Sequence, residues 1–253
     1  MKLYEVFFSP TGGTRRAADA VLSGMGPDGD MVDLSRPHTD LAGRKFDSDG
    51  LAVIAVPSFG GRVPPPAAER IRQLHGNGCG AMLLGVYGNR TYEGTLRELE
   101  QAAGQAGFRP IAAVAAVAEH SIVREYASGR PDSTDMRELA QFGKRAAEKW
   151  QKGDTGLPEL PGRLPEGADR GMSMIPRAGR DCSACGVCAG ECPVQAIDPS
   201  SPRKADKKRC ISCMRCVHVC RSKARHLSPV LTGAAALMLR KACLQRKNNE
   251  FFI

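Results

Sequence analysis

The 253-residue chain holds a single tryptophan, only 5% aromatic residues and no long apolar run, the longest being Ile111 to Ala118. A bilayer-crossing helix needs about 20 such residues, so no membrane insertion is expected. The start, Met1-Lys2-Leu3-Tyr4-Glu5, has an acid where a secretory leader carries its apolar core, and Pro10 and two glycines follow closely. A cytoplasmic location is therefore expected, where ten cysteines are metal ligands or redox groups rather than disulfides. Acidic residues are scarce in one region only. Residues 1–178 contain 22 Lys/Arg and 22 Asp/Glu, whereas residues 179–253 contain 14 and 5, so the whole formal charge of +9 lies in the last third. That asymmetry first suggests nucleic acid or an anionic surface as partner. Disorder is excluded, because 42% apolar residues can bury a core.

Within the first 152 residues, short apolar runs alternate with helical patterns. Strands are expected at Leu3–Phe8, Met31–Leu34, Leu51–Val56, Ala81–Val86 and Pro110–Ala118, the third a continuous apolar run suited to a parallel strand buried on both faces. Helices are expected after Thr14, from Pro64 to Leu74, from Tyr92 to Ala106 and from Ser133 to Trp150. Five strands alternating with helices predict an α/β doubly wound parallel sheet. A Pro/Gly-rich linker (153–178), a cysteine module (179–228) and a helix with a tail (229–253), the helix placed at Thr232–Arg246, complete the expected organisation.

Cys182, Cys185, Cys188 and Cys192 form C-x-x-C-x-x-C-x-x-x-C followed by Pro193, and Cys210, Cys213, Cys216 and Cys220 repeat the spacing. Two such runs match the two-cluster bacterial ferredoxin pattern, in which each fourth cysteine serves the other cluster. The expected ligand sets for two [4Fe-4S] clusters are Cys182, Cys185, Cys188 and Cys220, and Cys210, Cys213, Cys216 and Cys192. Zinc would favour two separated C-x-x-C pairs and leaves the third evenly spaced cysteine unexplained. Arg221 stands where the first run has its proline, and Cys79 and Cys243, outside both runs, read as small buried hydrophobes.

Ser9-Pro10-Thr11-Gly12-Gly13-Thr14 follows the first strand and opens the first helix, so amides and hydroxyls can surround a phosphate there. It lacks the lysine of an ATP-binding loop, and a phosphomonoester fits better. Gly24, Gly26 and Gly29 spell a dinucleotide fingerprint in the wrong context, after a helix and before a strand.

The phosphate segment, through Ser9, Thr11, Gly12, Gly13 and Thr14, resembles the FMN-phosphate fingerprint of flavodoxins. That resemblance implies that the loops after the third and fourth strands hold the isoalloxazine ring: Pro57, Ser58, Phe59, Gly60 and Gly61 on one side, Tyr87, Gly88, Asn89 and Tyr92 on the other. Gly60 and Gly61 would permit a peptide flip toward the ring; the loop with His120, Arg124 and Arg130 could reach the same crevice, but reads first as surface structure.

With a chain end Arg246-Lys247-Asn248-Asn249-Glu250-Phe251-Phe252, the whole resembles the EFR-type flavodoxin-ferredoxin fusion family. The resemblance implies an electron-transfer flavoprotein that moves electrons among FMN, two [4Fe-4S] clusters and redox proteins such as a ferredoxin or an oxidoreductase. The alternative is an FMN-dependent reductase of a quinone or other small acceptor; a third reading is a zinc-containing nucleic-acid binder. Eight thiolates and two oxidised cubane cores would reduce the net +9 to about +5, and an FMN phosphate to about +3. Nucleic acid is then no longer expected as a partner, and the remaining cations would steer acidic redox partners.

Overall fold

The computed structural model describes residues 1–27, 29–164 and 174–253. Its main sheet is assembled from β1 (Leu3–Phe7), β2 (Asp30–Asp33), β3 (Leu51–Pro57), β4 (Gly80–Tyr87) and β5 (Arg109–Val117), all parallel, in the order β2-β1-β3-β4-β5. This is the flavodoxin-like doubly wound order. The helices α1 (Gly13–Met25), α2 (Pro65–Arg72), α3 (Thr95–Gln105) and α4 (Ser133–Gln151) supply the crossovers.

Both faces of the sheet are dry. Tyr4, Val6 and Phe8 of β1 and its continuation point into one core, with Ile54, Ile71, Leu96 and Leu99. Leu3 and Phe7 point into the other, with Val21, Leu84, Val114 and Leu139 under α1 and α4. Continuous apolar strands are what this double coverage requires. The glycine at 24 belongs to the packing of α1 on α4: a Cβ there would run into the Ala140 carbonyl, and one at Gly143 into the Val21 carbonyl. Helix α4 starts on a capping box, the Asp132 carboxylate accepting from the amides of Thr134 at 2.9 Å and Asp135 at 3.1 Å.

The cysteine module contains a two-stranded pair, β6 (Arg177–Ala178) with β7 (Arg225–His226), and two single-turn helices, α5 (Val187–Gly190) and α6 (Arg215–His218). The linker expected over 153–178 is described as far as Leu164 and from Met174; residues 165–173 lie outside the described residues. Leu160 of that stretch is buried in the sheet core.

The chain end differs from expectation. Helix α7 (Pro229–Cys243) starts at Pro229 itself, the first-turn position where proline's missing N–H costs nothing. Residues Glu250–Phe252 then form β8, which pairs antiparallel with β5 and makes the sheet six-stranded. Phe251 stacks on Phe142 of α4, with ring centroids 4.5 Å apart, under the Arg145 guanidinium. The tail therefore belongs to the first domain's sheet, and the cysteine module is an insertion between α4 and β8.

Candidate functional site

The crevice lies at the carboxyl ends of β1, β3 and β4, beside the point where strand order reverses. Gly12, at φ +88°, caps α1 without a side chain. Ser9 Oγ turns inward instead and accepts from the Arg15 amide at 3.0 Å, while the Ser9 amide donates to Ser35 Oγ at 2.5 Å. Ser35, after β2, is a supporting residue that nothing in its local sequence marks. No acid stands in the first turn of α1, so the amides of Gly13 and Thr14 meet the conditions for an anion at a helix N-terminus.

Of the expected flavin contacts, Thr11, Gly13, Thr14, Pro57, Ser58, Phe59, Tyr87 and Gly88 line one cavity. It is narrow, about 70 Å³, so its walls must part for a tricyclic ring. Ser58 Oγ lies 2.7 Å from Thr95 Oγ1, which ties this loop to α3. Gly60 and Gly61, at φ +62° and +85°, form a tight turn between Phe59 and Arg62 outside the cavity lining, where a Cβ on Gly61 would strike Glu93. Asn89 and Tyr92 face the chain end instead. The buried Asn89 amide donates to the carbonyls of Cys243 and Gln245, both at 2.8 Å, and Tyr92 Oη donates to Glu250 at 3.0 Å.

His120 joins the cavity wall. Its Nδ1 accepts from the amides of Ile122 at 3.2 Å and Val123 at 3.0 Å, so the proton sits on Nε2. Burial and the nearby Arg90 push its pKa below the ordinary value. The ring is thus a neutral donor. Gly88 is required beside it, since a Cβ there would fall 2.9 Å from His120 Cα. Glu119, also on the wall, is held by the exposed Arg124 at 2.5 Å.

Arg130 does not reach the crevice. It is buried in a bidentate pair with Asp135, at 2.8 and 2.5 Å, and donates to the Lys247 carbonyl at 2.7 Å. Asn249 completes this clamp, donating to Asp135 at 3.2 Å and accepting from the Val117 amide at 2.9 Å. Burial would raise the Asp135 carboxyl, but the bonds from Arg130 and the Asp132 amide prevail and hold it at about 2.

The cysteine runs are structurally repeated. Ala184 and Gly186 in the first, Ser212 and Met214 in the second, adopt positive φ at matching offsets, as do Gln195 and Lys223 after the fourth cysteines. Helices α5 and α6 start at equivalent points, with Cys188 and Cys216 as second residues. Cys192, Cys210 and Cys216 all lie near enough to Cys213 to raise its thiol electrostatically; burial contributes most, and pushes it to about 12. Cys188, of the other expected set, also lies close to Cys216. Backbone amides aim at sulfur: Ala196 N–H donates to Cys192 Sγ at 3.3 Å. At Cys220 burial raises the thiol, but the Ser222 hydroxyl and the amides of Arg225, Ala224 and Ser222 outweigh it and lower the pKa. Among the described residues no three His, Cys, Asp or Glu side chains converge to hold a single metal ion; a cubane takes one thiolate at each of four irons and needs a wider cage.

The two parts meet at the crevice. Cys213 lines the same cavity as Thr14, Phe59 and Tyr87. Arg215, ion-paired with Glu191, donates to the Pro10 carbonyl of the phosphate loop at 3.3 Å. Ile211 packs on the sheet core, and Arg70 of α2 donates to the Pro193 carbonyl at 2.6 Å. The sequence signal for this docking was absent, because none of these partners is near in the chain. Cys79 and Cys243 are both buried, away from the two runs.

The fold defines a flavodoxin-like α/β protein carrying an inserted cysteine module. Among solved structures, a Streptococcus flavodoxin is 20% identical over 59% of this chain and 99% of its own, with a TM-score of 0.42. A flavodiiron core from Synechocystis is 14% identical over 60% of this chain and 36% of its own, at 0.44. An NADH:FMN oxidoreductase in its apo form is 13% identical over 60% and 89%, at 0.41. No family model and no curated protein matches the chain.

Proposed function

We propose that the chain is an electron-transfer iron-sulfur flavoprotein, passing electrons among two [4Fe-4S] clusters, FMN and external redox partners. The observation that carries this reading is the position of Cys213, in the wall of the cavity that the phosphate loop opens. Gly13, Thr14 and Thr11 would hold the phosphate, with Ser9 bracing the loop from within through the Arg15 amide; Ser58, Phe59, Tyr87 and Gly88 would flank the ring. Bound together, the cofactors would supply one-electron carriers and a junction between one- and two-electron chemistry. Cys192, Cys210, Cys213 and Cys216 would form the inner set, three of them buried, and Cys182, Cys185, Cys188 and Cys220 the outer set, with Cys185 exposed to partners.

The rest of the site serves orientation and exclusion. Cys213 of the cysteine module stands in the crevice wall beside the phosphate segment, which would make the transfer intramolecular. His120, in the same wall, would offer its Nε2–H without bringing charge. A transfer path within one chain favours a carrier over a reductase of small acceptors.

Anaerobic purification with iron, sulfide and flavin analysis tests the reading. About eight irons, about eight sulfides and one FMN per chain are expected. Zinc without iron or sulfide overturns it, and eight irons without flavin overturns its FMN half. Rapid turnover with a quinone would transfer the assignment to the reductase alternative.

A further inference from the structure

Away from the crevice, exposed apolar side chains gather in one place. Of the eight large hydrophobic residues exposed among those described, five belong to α7 or its cap: Val230 at 80%, Leu237 at 73%, Met238 at 70%, Leu244 at 65% and Leu231 at 49%. The sevenfold spacing of 230, 237 and 244, with 231 and 238 beside them, sets them along one side of the helix. The other side is taken: Ala235 and Cys243 pack with Val123, Tyr126 and Met174, and Tyr126 Oη donates to the Ala236 carbonyl at 2.6 Å. A helix apolar on both sides but covered on one calls for a second cover. No helix of the described residues is long and apolar enough to cross a membrane.

The charge on and beside this helix is mostly positive, with Glu125, next to Tyr126 on the covered side, an acid in reach. From Asp206 to Glu250 the chain runs 43 residues without an acid and with eleven Lys or Arg. Arg240 and Lys241 stand exposed in the last turn of α7, and Arg221 and Lys223 are exposed at the approach to β7. We propose that this face docks on an anionic lipid surface, with α7 in the plane of the interface, its aliphatic side at the boundary between headgroups and acyl chains, and Arg240 and Lys241 at the lipid phosphates.

The ridge sets exposed aliphatic side chains beside exposed cations, the combination an anionic lipid surface accepts. Lys241 lies among the aliphatics, where its long stem reaches headgroups while its ammonium stays solvated. A second copy would bury that ammonium and oppose two mainly basic faces. The docking is independent of the electron-transfer reading, since neither flavin nor cluster enters it.

Flotation of the holoprotein with phosphatidylcholine vesicles, with and without phosphatidylglycerol, tests it. Binding to the phosphatidylglycerol vesicles alone is expected, weakened by high salt. Leu237→Glu with Met238→Glu should weaken it at least about tenfold, with circular dichroism and iron content unchanged. Arg240→Gln with Lys241→Gln should weaken it about 30-fold, at roughly 1 kcal/mol for each cation near the surface. Absence of flotation, or equal binding to both vesicles, overturns the proposal. So does a dimer in light scattering that Leu237→Glu with Met238→Glu splits into monomers, which would give the face to a second copy.

Discussion

Replacing Asp135 with asparagine tests the clamp that holds the chain end in the main sheet. Its carboxylate takes both arms of Arg130 and the amide groups of Asn249 and Asp132 in a nearly dry environment. Held at about 2 against 3.8 in the unfolded chain, it contributes about 2.5 kcal/mol at neutral pH. Because the folded value is the lower one, that contribution is complete above about pH 4 and lost as pH falls toward 2. Asparagine removes it and leaves the Arg130 guanidinium buried without a counter-charge, so the expected cost is about 3–5 kcal/mol. For a chain of this size that is a fall in melting temperature of about 6–20 °C. The same change should expose the amides of β8 to hydrogen exchange, while those of β3 and β4 remain protected. Arg130→Met should cost a similar amount, and the double variant clearly less than the sum of both. A loss below about 1 kcal/mol, additive single effects, or a β8 still protected in Asp135→Asn would refute the clamp.

The remaining expectations concern packing and the two sites. Gly24→Ala should destabilise by at least about 1–3 kcal/mol in urea melts, since its methyl meets the Ala140 carbonyl; an unchanged midpoint would mean that α1 and α4 are further apart. Gly88→Ala should raise the FMN dissociation constant about tenfold or more through His120, at constant iron content, and unaltered affinity would remove that loop from the site. Cys213→Ser should lower iron and sulfide to about four each and disturb the flavin spectrum, whereas Cys185→Ser should lower iron and leave the flavin spectrum nearly as it was; equal effects would contradict an inner and an outer set. Glu5, on β1, has a buried Oε1 without a hydrogen-bond partner, and burial together with Asp19 raises its pKa to about 8. The raised folded value costs stability progressively as pH rises from 4.5 toward 8, so Glu5→Gln should stabilise the protein at pH 8 and flatten that slope; a loss of stability at pH 8 would show that the carboxylate has an ionic role.

Much of the architecture was legible in the chain because it is written locally. The run Leu51–Val56 has the composition of a doubly buried strand, and it is one. The phosphate segment has its glycines and hydroxyls within six residues, and the spacing of the cysteine runs repeats as matching backbone conformations, with positive φ at Ala184 and Ser212, Gly186 and Met214. Patterns of this kind need only neighbours in sequence. Three short residues at the end, Glu250 to Phe252, have no periodicity to read, and their strand exists only because β5 offers an open edge.

The side chains that changed meaning did so through distant partners. Asn89 and Arg130, plausible beside a flavin, are spent on carbonyls and a carboxylate more than a hundred residues away or across a turn: Cys243, Gln245 and Lys247 for the tail, Asp135 for the helix. Gly24 looked like part of a misplaced fingerprint and is a contact between helices. The chain's own order specifies which groups are present: a Ser/Thr/Gly loop at a helix start, two runs of four evenly spaced cysteines and an excess of cations. Which thiol meets the crevice, and which apolar helix face stays open, depends on how the inserted module lands on the sheet. That landing is set by contacts such as Arg215 to Pro10, 205 residues apart, which no local pattern encodes.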